Sequence, residues 1–197
     1  MDMSVVISYL KRCGSVTTAS HEMKHMGRVF FMKKGNKEKK KVDIGALIIS
    51  LIISVGGGFI AGIFNKNYIL MYSNLQKPVF SPPAIVFPIV WTILYILMGI
   101  AAYRVYMVIK ETNTSKIPLV FYGIQLILNF LWPFLFFNFR LYGLAFVELV
   151  VLFIFIILTT IAFFKRDKVA GMLMIPYAAW VAFAGVLNFF VWMLNEM

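Results

Sequence analysis

Five apolar runs, each about 20 residues or longer, constrain this chain more than any other feature. A helix rises ~1.5 Å per residue, so each run can cross ~30 Å of hydrocarbon. The runs are Ile44–Phe64, Pro83–Ile109, Ile117–Phe137, Tyr142–Phe164 and Val169–Leu194. An ordinary soluble domain has about 25% charged residues; here 61% are hydrophobic and only 14% charged, more apolar surface than a water-soluble fold can hide. The expected fold class is an all-α membrane protein, a five-transmembrane-helix bundle over residues 44–197. The links Lys110–Lys116, Asn138–Leu141 and Lys165–Lys168 are short and imply antiparallel neighbours. The first link, Asn65–Pro82, is longer and polar, and carries Lys77-Pro78 and Ser81-Pro82-Pro83.

The net charge of +11 is concentrated at one end of the sequence. Residues 1–43 read as a basic N-terminal tail, expected to be disordered; ten Lys/Arg stand there against Asp2, Glu22, Glu38 and Asp43. A nucleic-acid arm is one reading of such a run. The better one is that cations ahead of a first span attract anionic lipid and fix orientation, so lipid rather than nucleic acid is the expected partner. The single cysteine, Cys13, excludes an internal disulfide, and no second ligand stands at metal spacing from it. His21 and His25 lie four apart in a polar segment and are expected to be solvated, so no metal site is expected. The apolar stretch around Val5–Leu10 is too short to span, and no cleavage-site pattern follows. Because Lys33–Lys41 would suffice as an anchor, Met26 or Met32 could serve as the start.

With the N-terminus on the cytoplasmic side, fifteen Lys/Arg fall on that side and only Lys66, Lys77 and Arg140 on the other. This bias predicts a cytoplasmic N-terminus, with the long first loop and the C-terminus outside. Arg104, near the cytoplasmic end of the second span, is expected to snorkel. Gly58 and Gly62 form a small-xxx-small pair that suits either a dimer face or a packing seam within one chain. Pro88, Pro133 and Pro176 are expected to kink their helices.

Polar side chains on a spanning helix need partners or a purpose. Phe87, Trp91, Tyr95 and Met98 follow one helical face of the second span. Gln125, Asn129 and Trp132 do so on the third, and Tyr177, Trp180, Ala184 and Asn188 on the fifth, where Trp192 extends the row as an interfacial anchor. From the loop-side helix ends, Trp91 and Asn129 lie roughly 12 Å deep, Asn188 roughly 9 Å and Trp180 roughly 21 Å. Aromatic walls with a few amides suit a planar, mostly apolar ligand with polar edges. The alternative is that the amides merely join helices, which for Gln125 and Asn129 is as good a reading. Glu148 lies roughly 9 Å into the fourth span. It is expected to be protonated or hydrogen-bonded to a neighbouring helix, in a structural or gating role, since no second intramembrane acid completes a proton relay.

Three segments carry a family resemblance. They are Lys77-Pro78-Val79-Phe80-Ser81-Pro82-Pro83 with Phe87-Pro88-Ile89-Val90-Trp91-Thr92-Ile93-Leu94-Tyr95, then Gln125-Leu126-Ile127-Leu128-Asn129-Phe130-Leu131-Trp132, and finally Pro176-Tyr177-Ala178-Ala179-Trp180 running on to Asn188. Together, over roughly residues 44–195, they resemble the TspO/MBR family (translocator protein, tryptophan-rich sensory protein). The resemblance implies a five-helix bundle, often a homodimer. It also implies a ligand that is a porphyrin or haem-like tetrapyrrole, with sterols and drug-like molecules in some members, and no required cofactor. Its pocket positions fall on Trp91, Gln125, Asn129, Trp132, Trp180 and Ala184, and its lid on Lys77, Pro78, Phe80, Pro82 and Pro83. Some bacterial relatives support light-dependent breakdown of protoporphyrin, and the tryptophans implicated match Trp91 and Trp180, the candidate catalytic residues. Phe80 and Phe87 stand where the family often has Trp, which removes two indoles from the lid and upper pocket. Phe189, Phe190 and Met193, with no basic residue after them, depart from the cholesterol motif of mammalian members.

Three functions follow for testing: tetrapyrrole binding with a sensing or transport role, light-dependent porphyrin degradation, and proton-coupled transport. The solitary Glu148 and the lack of an inverted repeat weigh against the third. The expected membrane is a bacterial cytoplasmic one, with the mitochondrial outer membrane as the alternative.

Overall fold

The computed structural model describes residues 42–65 and 68–197, which form six helices and no strand. The basic tail through Lys41, with Cys13, His21, His25, Met26 and Met32, lies outside the described residues. Five helices are long and apolar enough to span a membrane: α1 Ile44–Phe64, α3 Val86–Thr112, α4 Ile117–Asn138, α5 Tyr142–Phe164 and α6 Lys168–Asn195. The short α2, Tyr68–Asn74, lies in the long first link. The protein is an integral membrane protein with a five-helix bundle. Isoleucine, valine and phenylalanine side chains remain exposed along the spans, Phe59, Ile89, Ile127 and Val147 among them, as a lipid-facing surface requires.

The core is apolar and closely packed. Met98, Ala101 and Val105 of α3 meet Ile156 and Phe163 of α5 and Ala170, Met174 and Tyr177 of α6, all of them fully buried. Small residues let backbones close up: Ser50 Oγ donates to the Gly99 carbonyl at 2.8 Å, and Ser54 Oγ and the Tyr122 hydroxyl share a 2.5 Å bond, tying α1 to α3 and α4.

Helix boundaries differ from expectation at α3. Pro83–Ile85 form a turn closed by Val86 N–H to the Pro83 carbonyl at 3.0 Å, and the helix runs three residues beyond Ile109 to Thr112. Pro88 therefore falls in the first turn, where its missing N–H would have no helical partner. It starts the helix and does not kink it. Pro133, in contrast, leads directly into a π-helical turn over Phe134–Asn138. A second π turn, Ile52–Gly56, interrupts α1, and α6 continues through Pro176.

The end of the bundle where α1 begins is fastened by two aspartates. Asp43 caps α1 through the Ala46 N–H and accepts from Lys110 at 3.0 Å. Asp167 caps α6 through the Ala170 N–H at 2.9 Å and takes both Nε and a terminal nitrogen of Arg104, at 3.2 and 2.7 Å. Arg104 is thus paired to a neighbouring link and is not left to snorkel. Burial pushes the Asp167 carboxyl up, but the Arg104 and backbone donors outweigh it and hold it below the ordinary carboxylate value.

Asp167→Asn keeps the cap acceptor and loses the charge pair, and should cost about 1 kcal/mol at neutral pH. Since the folded carboxyl titrates below its ordinary value of 3.8, its contribution is complete above that value and fades as pH falls beneath it. Thermal unfolding of both proteins in detergent across pH should show their Tm difference closing on the acid side.

Candidate functional site

Beyond the π turn of α1, the helix leaves the packed core and a cavity of about 590 Å³ opens between α1, α3 and α4. From α3 it is lined by Phe87, Trp91, Thr92 and Tyr95, and from α4 by Asn129, Trp132, Pro133 and Phe137. Gly58, Ala61 and Gly62 of α1 face it with almost no side chain, and Asn65 and Tyr68 close the loop end. A smaller chamber of about 340 Å³ adjoins it there, sharing Ile63, Asn65, Tyr68 and Phe137.

The walls are held by rings and by a buried chain of hydrogen bonds. Trp91 stacks on Tyr95 with centroids 5.6 Å apart and meets Tyr177 edge-on at 6.2 Å. The Tyr95 hydroxyl donates to Asn129 Oδ1 at 2.7 Å, Asn129 Nδ2 donates to the Tyr177 hydroxyl at 3.1 Å, and that hydroxyl donates to Gln125 Oε1 at 2.8 Å. Trp132 Nε1 donates to Asn188 Oδ1 at 3.1 Å, and Asn188 Nδ2 to the Tyr142 carbonyl at 2.8 Å.

Of the ten expected ligand residues, Phe87, Trp91, Tyr95, Asn129 and Trp132 line the cavity. Gln125, Tyr177, Trp180, Ala184 and Asn188 do not; they form the layer behind. Gln125, Tyr177 and Asn188 orient the lining residues through the bonds above. Trp180 packs on Phe87 at 5.9 Å, with its buried Nε1 lacking an acceptor among the described residues. The expected lid is also placed differently. Phe80 rests on Phe183 and Phe190 of α6, Lys77 donates to the carbonyls of Tyr72, Ser73 and Leu75, and the Pro82 carbonyl accepts from the Tyr72 hydroxyl. None of Lys77, Pro78, Phe80, Pro82 and Pro83 lines either chamber. Glu148 is buried on α5 with neither oxygen hydrogen-bonded among the described residues.

The α1 lining was missed in part because Gly58, Ala61 and Gly62 contribute the absence of side chains, beside Val55, Phe59 and Ile63. A Cβ at Gly58 would overlap the Tyr95 ring, whereas one at Gly62 would meet nothing within 4 Å. The glycine face packs within its own chain at Gly58 and borders space at Gly62.

A family model, described as the TspO/MBR family, matches residues 48–193. This chain belongs to the TspO/MBR family. It is 40% identical over 157 residues to the tryptophan-rich protein TspO of Chlorobaculum tepidum, covering 79% of this chain and 98% of that protein. Against the human translocator protein it is 38% identical over 151 residues, covering 75% and 85%. Against the tryptophan-rich sensory protein of Cereibacter sphaeroides it is 41% identical over 124 residues, covering 63% and 76%. All three matches cover most of the TspO/MBR relative concerned.

Two tests follow from this geometry. Gly58→Ala should destabilise by roughly 1–3 kcal/mol, because the Tyr95 ring is pinned by its bond to Asn129 and cannot yield cheaply, while Gly62→Ala should leave Tm unchanged. An unpaired carboxylate at the depth of Glu148 costs several kcal/mol; Glu148→Gln, isosteric with the neutral acid, should hold or raise Tm, and a large fall would show that the charge has a partner.

Proposed function

We propose that this TspO/MBR protein binds a flat, mostly apolar ligand of the porphyrin type in the larger cavity, to sense it or carry it within the membrane. The observation that carries the reading is the wall formed by Trp91 stacked on Tyr95, facing a cavity of about 590 Å³ with Asn129, Trp132, Thr92 and Asn65 among its polar lining residues. Aromatic faces bind a planar conjugated ring by stacking, and a few fixed amides orient its polar edge. The volume lies within the range of pockets that enclose drug-sized ligands. The names of relatives, a sensory protein and a translocator, fit a protein that holds a ligand in a membrane. The positive-inside bias of the sequence supports a cytoplasmic N-terminus and places the cavity toward the outer face. A bacterial cytoplasmic membrane is the simplest setting.

A second reading, light-dependent porphyrin breakdown, is favoured by one feature: the Trp91 indole lies on the cavity wall, where an excited ligand and oxygen would reach it. Trp180 lies one ring further back.

Titration of the purified protein with protoporphyrin in the dark, followed by the porphyrin's own absorption band, tests both. Saturable binding is expected, weakened several-fold in Trp91→Phe and little changed in Trp180→Phe. Failure of the wild type to bind removes both readings. Irreversible bleaching under light and oxygen, lost in Trp91→Phe, would select the second, and a stable spectrum the first.

A further inference from the structure

We infer that the smaller chamber is a head-group subsite, which takes the anionic end, a carboxylate or phosphate, of a molecule whose apolar body lies in the larger cavity. The inference rests on the ligand reading above for the apolar body and adds the charge that the ligand must carry.

The two chambers differ in chemistry. The larger is lined mostly by rings, glycines and aliphatic side chains. The smaller is lined by Asn65, Tyr68, Asn138 and Arg140 among its eight residues. Because the chambers share four of their lining residues, one amphiphile can reach from one to the other.

Arg140 is the only cation lining either chamber among the described residues, and no described carboxylate is within ion-pair distance of it. Glu196, at the same end of the bundle, spends both oxygens on the N–H groups of Tyr142 and Gly143, at 3.0 and 2.8 Å. The Tyr68 hydroxyl makes no hydrogen bond to a described residue, and Asn138 Nδ2 reaches only the Phe64 carbonyl, at 3.5 Å. Guanidinium, phenol and amide donors are therefore uncommitted around one small chamber. Asn65 Oδ1 is buried there without a donor, a place for the hydroxyl of a protonated acid or a bridging water.

The backbone adds an independent sign. Arg140 has φ 56°, in the left-handed region, at the end of α4, where Leu141 N–H returns to the Leu135 carbonyl at 3.0 Å. Glycine is the residue best suited to that conformation. A long cation at this position is held against backbone preference, as happens where a side chain serves a site.

The full chain in phosphatidylcholine nanodiscs is titrated with protoporphyrin and with its dimethyl ester, which has the same ring and no negative charge. Arg140→Gln keeps a polar side chain and the backbone cost of the residue while removing its charge. It should weaken the diacid about tenfold, as expected for losing one charge-assisted hydrogen bond, and leave the diester unchanged. Arg140→Lys should recover part of the loss. Equal affinity of wild type and Arg140→Gln for the diacid overturns the proposal, as does an equal loss for both porphyrins. Adding phosphatidylglycerol identifies the source of the anion: competition with the diacid in wild type but not in Arg140→Gln assigns the chamber to lipid phosphate, and no competition assigns it to the ligand's carboxylates. A wild type that binds neither porphyrin sinks the ligand reading and this subsite together, a result distinct from loss of the arginine effect alone.

Discussion

The Tyr177 hydroxyl is the point on which the arrangement of α3, α4 and α6 depends. Within hydrocarbon no water is available to satisfy a polar group, so a partner on another helix is strongly favoured. Fully buried, Tyr177 accepts from Asn129 and donates to Gln125, while Asn129 in turn accepts from Tyr95. This fixes the rotation of three helices about their axes. Because Trp91 lies one turn before Tyr95 and stacks on it, fixing Tyr95 also aims the indole at the cavity. A second link, Trp132 to Asn188 to the Tyr142 carbonyl, does the same for the far side of α4 and brings in α5.

Helical spacing placed Phe87, Trp91 and Tyr95 on one face, and Gln125, Asn129 and Trp132 on another, and the structure turns both faces inward. Spacing also grouped Tyr177, Trp180, Ala184 and Asn188, but a shared face does not say which neighbour fills the space before it. On α6 that space is filled by Phe87, Asn129 and Trp132 themselves, so these residues buttress the cavity from behind. The third wall, α1, was hidden for a different reason. Hydrophobic pattern reads side chains, and at Gly58 and Gly62 the structural contribution is their absence. The seven residues of α2 were too few to show a helical period, and its first residue, Tyr68, was therefore read as loop although it helps to close the cavity.

The two ends of the bundle are built differently. At the end where α1 begins, α3 supplies both cations, Lys110 to the aspartate capping α1 and Arg104 to the aspartate capping α6. Between that end and mid-membrane, Ser50 and Ser54 bind α1 closely to α3 and α4. No comparable polar bond ties the second half of α1 to α3 among the described residues. At the other end Glu196 ties α6 to the start of α5 and Asn195 ties it to Gln76, so it is α1 that parts from α3 and leaves the space there.

Two π turns place that parting. In α1 the turn at Ile52–Gly56 contains Ser54, which is bonded to Tyr122, and the next two turns of helix line the cavity. In α4 the turn at Phe134–Asn138 follows Pro133, whose missing N–H releases the Asn129 carbonyl from its usual helical donor. Each π turn adds a residue to one turn of helix and so rotates everything beyond it relative to what came before. At about 100° per residue a regular helix would continue the face of Gln125, Asn129 and Trp132 at Phe136; past Pro133, Phe137 joins both chambers and Asn138 the smaller one. The same helix can thus serve two ends with different chemistry, a hydrogen-bonded core below and a ring-lined, cation-tipped opening above. Buried amides require the first, and the ligand proposed above, with an apolar body and a charged end, would use the second.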